Sequence, residues 1–337
     1  MIGPATITGL GSWLPPRTVT NHDLAAAGLE TSDEWIRQRT GIAERHVVDP
    51  GSATSDLAVR AGQLALKSAG TDDVDLLILA TTTPDHPCPA TAPDVADRLG
   101  QSRIIAFDVS AVCSGFLYAL VTASALVGAG QARRALVIGA ESFSTLLDPA
   151  DRTNRAIFGD GAGAVVLEAA PQAGTRRPGA LLGIDLASDG SLKDLITVPG
   201  GGSRQRSGPQ PADPAQNYFR MEGKQVFMKA VTLMADSCRR AVAKAGWELD
   251  AVDRVVPHQA NQRIIDAVAD RLHIDRGKAI SNIEKVGNTA AASIPIALAD
   301  ACADGRLRPG HRTVLTAFGG GATWGALALE WPDIDLV

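Results

Sequence analysis

The sequence predicts an α/β protein built from two similar halves. Short apolar runs that read as strands alternate with segments of helical spacing, the pattern of parallel crossovers. One such run, Val74 to Ala80, is apolar almost without interruption, as a strand buried on both faces requires. The chain also repeats itself. Val74-Asp75-Leu76-Leu77-Ile78 precedes a helical segment ending Val95-Ala96-Asp97-Arg98-Leu99, and Val252-Asp253-Arg254-Val255-Val256 precedes one ending Val268-Ala269-Asp270-Arg271-Leu272. Phe158-Gly159-Asp160-Gly161-Ala162 echoes Phe318-Gly319-Gly320-Gly321-Ala322. A duplication of this length implies two α/β units around a pseudo-dyad. The expected units are residues 1–175 and 176–337, with a seam at Pro171 to Gly179.

In chain order, residues 5–11 read as a strand. Thr31 or Ser32 caps a short helix with Asp33 and Glu34 in its first turn, and Gly41 closes it. Leu57, Ala61, Leu64 and Ala65 place a helix over 55–69, stopped by Gly70. The prolines of Thr81 to Pro89 mark a loop, followed by a helix over about 90–99. Ile104 to Val109 reads as a buried strand, Phe116 to Val127 as a helix, and Ala135–Gly139 and Ala162–Leu167 as strands. The second half opens with a strand at Leu181 to Ala187 and an irregular loop at Gly200 to Ala215. A strong helix follows from about Gly223 to Ala245. Asp253 to Pro257 is a strand that delivers His258, and a helix runs on to Leu272. Another helix ends near Ala303, and strands at Thr313–Ala317 and Gly325–Trp331 complete the chain.

Composition excludes several classes. The chain has 337 residues, 45% of them hydrophobic and 20% charged, as in ordinary globular proteins. No apolar run is long enough to span a bilayer, and the N-terminus carries no secretory pattern. The four cysteines, Cys88, Cys113, Cys238 and Cys302, form no CxxC pair. That spacing disfavours zinc and a disulfide framework and fits a reducing cytoplasm. A net charge of -5 argues against nucleic-acid binding over the whole surface.

The chemistry converges on Cys113. A cysteine between a strand and a helix meets unpaired N–H groups and the positive end of the helix dipole, which favour thiolate. Alone, such a residue reads first as a buried apolar side chain. Two further residues alter that reading. In the alignment of the halves, Cys113 and Asn288 take equivalent strand-to-helix junctions, and His258 stands at another. A cysteine can carry an acyl group as a thioester. A histidine and an asparagine can both donate hydrogen bonds to one oxygen of a developing enolate. Gly319, Gly320 and Gly321 allow close backbone approach, so an N–H there can join the Cys113 N–H at a tetrahedral oxyanion. Trp35 and Arg39, four residues apart, share a helix face, either as a surface pair or as a clamp on a planar group and a phosphate.

These residues resemble β-ketoacyl-[acyl-carrier-protein] synthase III, a family of the thiolase fold, over nearly the whole chain. The specific pieces are Ser32-Asp33-Glu34-Trp35-Ile36, Arg39-Thr40-Gly41-Ile42, Cys113-Ser114-Gly115-Phe116, Asp151-Arg152, the Phe158–Ala164 glycine turn, His258-Gln259-Ala260-Asn261, Gly287-Asn288-Thr289 and Phe318-Gly319-Gly320-Gly321. The resemblance implies a thiolase-like fold whose two pseudo-symmetric halves form a layered αβαβα core. It implies Cys113 as the acylated nucleophile and His258 with Asn288 as the decarboxylation pair. Cys113 and Gly320 would form the oxyanion hole. Trp35 and Arg152 would stack on the coenzyme A adenine, with Arg39, Thr40, Asn261 and Phe318 as further coenzyme A contacts. Arg263 would receive the acidic carrier protein, and Cys88 would shape the acyl pocket of a partner subunit.

The implied reaction is a decarboxylative Claisen condensation of an acyl-CoA with malonyl carrier protein, initiating fatty-acid or polyketide synthesis. The implied state is a cytoplasmic homodimer that needs no bound cofactor or metal and contacts no membrane or nucleic acid. Related families fit less well. Thiolases carry a second cysteine near the C-terminus, elongating ketosynthases use two histidines, and hydroxymethylglutaryl-CoA synthases place a glutamate where this chain has threonines after Ala80. The glycines of Gly159 to Gly163 precede a strand, so they read as a turn and not as a dinucleotide site. Cys88, Thr153 and Lys224 depart from common family residues, and the small Cys88 suggests tolerance of branched or longer starters. Two alternatives stay open: a same-fold acyltransferase acting on a hydroxyl or amine without decarboxylation, and a silent subunit of a partner synthase.

Overall fold

The computed structural model describes residues 5–170, 177–209, 211 and 213–337. One sheet has the order Ala5–Trp13, Gly161–Ala169, Arg134–Glu141, Leu76–Ala80, Ile105–Val109. The other runs Leu181–Ser188, Thr323–Glu330, Arg312–Gly319, Arg254–Pro257. Taken in that order, each sheet pairs antiparallel, antiparallel, then parallel. The repeat seen in the sequence is thus a repeat of topology. The crossovers are parallel only around Leu76–Ala80 and Arg254–Pro257. The other connections in each sheet return the chain beside itself in the opposite direction.

Two helices, Gly115–Gly128 and Ser293–Ala303, lie between the sheets. Both are apolar on nearly every face, as a helix covered on all sides must be. Their Phe116, Leu120, Ile294 and Leu298 share one core with Ile78 and Val137 of the first sheet and Leu315 and Leu327 of the second. Outside the first sheet, Thr54–Ser68 packs Leu57, Ala61 and Ala65 against Leu77, Leu136 and Val166. Outside the second, Gly223–Lys244 and Gln262–Leu272 pack Met234, Cys238, Ile264 and Val268 against Val314 and Ala328. The result is the layered αβαβα arrangement.

Three expectations change, and a fourth falls largely outside the described residues. Among the described residues Ile105–Val109 is an edge strand paired only with Leu76–Ala80, so it is half-exposed and not buried, with Ile105 44% exposed. Its counterpart in the second half is reduced to a single bridge between Val255 and Ala279. The Gly200 to Ala215 loop contains short helical turns at Ser203–Arg206 and Pro214–Asn217, while Gln210 and Ala212 lie outside the described residues. Phe158–Ala162 and Phe318–Ala322 are not structural counterparts: Phe318 lies inside the strand that Gly319 ends, whereas Phe158 belongs to the excursion over residues 142–160. Of the seam at Pro171 to Gly179, residues 171–176 lie outside the described residues, and Gly179 bonds to both Ile7 and Glu330.

Candidate active site

Cys113 sits in the tight turn Val112–Ser114 at the start of the buried helix Gly115–Gly128. Val112 holds φ 48°, a left-handed conformation that is costly for a β-branched residue. Bonds across the two sheets secure it. Ser114 Oγ donates to Ala111 O at 2.9 Å and lies 2.7 Å from Thr323 Oγ1, which in turn donates to Ala111 O at 3.1 Å. Gly319 packs its Cα directly on this turn. A Cβ there would lie 2.8 Å from Cys113 N and 3.0 Å from Ser114 N, so glycine is required. The adjoining Gly320 lies against Val112, and its carbonyl oxygen, 3.0 Å from Thr323 Oγ1, is the alternative acceptor for that hydroxyl.

His258 follows the strand Arg254–Pro257 and is anchored by its N–H to Thr316 O at 2.7 Å. Its Nδ1 lies 2.6 Å from Ser293 Oγ. That oxygen also accepts the Gln259 N–H at 3.4 Å. The contact engages Nδ1 and leaves Nε2 as the nitrogen available to a substrate. Burial pushes the His258 pKa down to about 3, so the ring is neutral at ordinary pH.

Asn288 is held by its backbone, donating to Ile157 O and accepting from Gly159 N, both at 3.0 Å. Its Oδ1 accepts the Ala290 N–H at 2.9 Å, which leaves the Nδ2 hydrogens to offer outward. Burial pushes the Cys113 thiol up to about 12, and the negative charge of Glu141 adds to the shift. The expected thiolate is therefore not the resting form: removal from water outweighs the helix end, and the site rests as thiol and neutral imidazole.

The pseudo-dyad is also corrected. Val112–Ser114 leading into Gly115 matches Ala290–Ala292 leading into Ser293, with Val112 and Ala290 at φ 48° and 44°. The counterpart of Cys113 is Ala291, and Asn288 stands three residues before it. The offset that aligns Val74 with Val252 already aligns Cys113 with Ala291, so the signal was present in the repeat.

A cleft of about 460 Å³ reaches Asn288 from the surface. Trp35, Arg39, Thr40, Asn261 and Arg263 line it, as do Thr153, Lys224, Phe227 and Met228. The Arg39 guanidinium stands 4.4 Å from the Trp35 ring centroid and that of Arg152 5.4 Å. Thr40 contributes its body and not its hydroxyl, which donates to Ile36 O and accepts from Ile42 N. Asn261 caps Gln262–Leu272 through Oδ1. Cys113, His258, Gly320 and Phe318 are not on the cleft wall. Phe318 is buried in the apolar cluster under Gly223–Lys244. Cys88 is exposed on the loop that follows Leu76–Ala80. Sequence reasoning missed Ser293, for which no spacing exists, and Glu141. The only signal for Glu141 is a carboxylate ending the apolar run Ala135 to Ala140.

Two like α/β halves enclosing a nucleophilic-type cysteine, a neutral histidine and a primary amide define a condensing enzyme of the thiolase fold. Comparison with known proteins makes this specific. The family descriptions 3-oxoacyl-[acyl-carrier-protein] synthase III and its C-terminal part match residues 107–190 and 242–331. The chain is 58% identical to β-ketoacyl-[acyl-carrier-protein] synthase III 5 of Streptomyces coelicolor over 99% of both chains. It is 52% identical to the synthase III of Pseudomonas aeruginosa strain LESB58 over 98% of this chain and 97% of that one. The crystal structure of the synthase III from Pseudomonas aeruginosa PAO1 superposes with TM-score 0.91 at 49% identity, covering 98% and 99% of the two chains. The priming β-ketosynthase of the R1128 polyketide pathway gives 0.89 at 31%, covering 98% and 97%. The chain belongs to the β-ketoacyl-[acyl-carrier-protein] synthase III family and is an acyltransferase of the condensing type.

Proposed function

We propose that this enzyme condenses an acyl-CoA starter with malonyl carrier protein through an acyl-Cys113 intermediate, initiating fatty-acid or polyketide synthesis. The observation that carries the proposal is the junction of the halves: Cys113 on one buried turn, with His258 and Asn288 brought beside the other through Ser293 and Ala290. In the first stage the Cys113 sulfur attacks the acyl thioester, and the thiol proton leaves with coenzyme A. In the second, malonyl carrier protein loses carbon dioxide. His258 Nε2–H and Asn288 Nδ2–H stabilise the enolate oxygen. The enolate attacks the acyl thioester, the Cys113 and Gly320 N–H groups hold the oxyanion, and collapse expels the Cys113 thiolate, which takes up one proton.

Trp35, Arg39 and Arg152 suit a stacked adenine and its phosphates, and Arg263 suits an acidic carrier protein. No cofactor is needed for these steps, since proton and charge demands are met by side chains and backbone N–H groups. The bare edge of Ile105–Val109 supports a homodimer in which the strands meet. Asp108 on that edge accepts from Thr91 N and Ala92 N, which brings the Cys88 loop beside the same edge. Cys88 of one copy would then border the acyl pocket of the other. Residues 1–175 and 176–337 are the two units of this arrangement, and reduced cysteines suit a cytoplasmic setting.

Mass spectrometry tests the reading. Purified enzyme offered acetyl-, isobutyryl- and hexanoyl-CoA should gain one acyl mass on the Cys113 peptide. Addition of malonyl carrier protein should then release carbon dioxide and a β-ketoacyl carrier protein. Loading followed by transfer to a hydroxyl or amine without carbon dioxide would replace condensation by simple acyl transfer. Strict use of acetyl-CoA would remove the roomy pocket inferred from Cys88.

A further inference from the structure

Glu141 is a fully buried acid that none of the steps above uses. It ends the strand Arg134–Glu141, and its counterpart at the end of Arg312–Gly319 is Gly319. Each packs on one of the paired turns. In one half, Gly319 leaves open the space beside the Cys113 N–H. In the other, the Glu141 carboxylate fills the corresponding space and accepts the Ala291 N–H at 3.4 Å. It also accepts the Thr82 N–H at 3.1 and 3.0 Å and the Thr83 hydroxyl at 2.9 Å. Gly139 presses on the same turn: a Cβ there would lie 2.5 Å from Ala291 O.

We propose that Glu141 is a positioning residue, a buried hydrogen-bond acceptor seated in the pseudo-symmetric counterpart of the oxyanion site. It holds the turn that carries Asn288 and anchors His258 through Ser293. Two successive N–H groups of this turn have acceptors: Asn288 Oδ1 takes Ala290 and Glu141 takes Ala291. Release of the second frees the first to shift, and with it the Asn288 amide that must meet the enolate oxygen. The same charge opposes ionisation of Cys113. The segments bonded to the Glu141 carboxyl, Thr81 to Thr83 and Ala290–Ala292, contain no other ionisable side chain. Burial pushes the carboxyl up to about 7, with the Thr82 and Thr83 donors working against that rise. This inference rests on the condensation proposed above.

Two variants separate reach from charge. Glu141→Asp keeps the charge but withdraws it from Ala291, and Glu141→Gln keeps the reach but removes the charge. Folding is checked by melting temperature. In Glu141→Asp, carbon dioxide release should fall between about ten- and a hundredfold. Acyl loading of Cys113 should change less than about threefold, because only Asn288 and His258 are displaced. Adding Glu141→Asp to Asn288→Ala should bring a smaller loss than Glu141→Asp brings to wild type, because only the displacement of His258 is left to act. In Glu141→Gln, alkylation of Cys113 by iodoacetamide should shift to lower pH, and in Glu141→Asp it should stay in place. Equal loss of both half-reactions, full additivity with Asn288→Ala, or an unshifted alkylation profile in Glu141→Gln would overturn the proposal. The alkylation readout needs no carrier protein. Wild-type enzyme that fails to decarboxylate would instead count against the condensation itself.

Discussion

Val112 and Ala290 adopt the same left-handed backbone at the head of the two buried central helices, yet the turns they open do different things. The first presents a thiol beside a glycine, and the second presents an alanine beside a carboxylate. Both pack against the last residue of the equivalent strand, so the difference lies in two side chains and not in the backbone. A glycine leaves a space where a transient negative charge can form between N–H donors. A glutamate places a titratable carboxyl there, one that burial keeps partly protonated near neutral pH. Duplication therefore provides two similar anion-holding turns. In the condensation and the positioning role proposed here, one serves the reacting oxyanion, and the other steadies the residues that face it.

The comparison predicts a ranked set of outcomes. Cys113→Ala should lower acyl loading by at least about a thousandfold, since no second nucleophile stands on the paired turn. Its readout is the acyl mass on the protein. Asn288→Ala should lower carbon dioxide release by about a hundred- to a thousandfold, as loss of a donor to a developing oxyanion does. Loading measured in the same sample should stay within a few fold, which separates the duties of the two turns.

Gly319→Ala and Gly139→Ala test the packing under each turn, because a new Cβ would meet backbone in both. Each should cost about 1–3 kcal/mol in denaturant unfolding. Gly319→Ala should impair loading more, and Gly139→Ala should impair decarboxylation more. The reverse ranking would break the assignment of duties.

The smallest effect is in the pH dependence of stability. Folded His258 protonates only at about 3, against an ordinary 6.5, so the unfolded chain binds its proton first and stability falls as pH drops through that interval. Folded Glu141 protonates at about 7, against 4.5, so the folded chain binds first and stability rises as pH drops from 7 to 4.5. The two oppose each other in the overlap. Glu141→Gln removes the counterweight, and its melting temperature should fall more steeply than wild type between pH 7 and 5, by on the order of a few degrees.

Much of this molecule is legible in the amino-acid order. Strand runs such as Leu76–Ala80, the all-apolar central helices, the repeat and the placing of Cys113 and His258 at strand ends follow from local periodicity and glycine placement. These are properties of neighbouring residues, and a linear reading captures them. The exposed edge at Ile105 was not legible, because a strand cannot show how many neighbours it will have. Nor was the resting thiol of Cys113, because its ionisation is set by what covers it. Ser293 beneath His258 and Glu141 beneath Ala291 are contacts between residues distant in sequence. Only closure of the two sheets over the central helices brings them together.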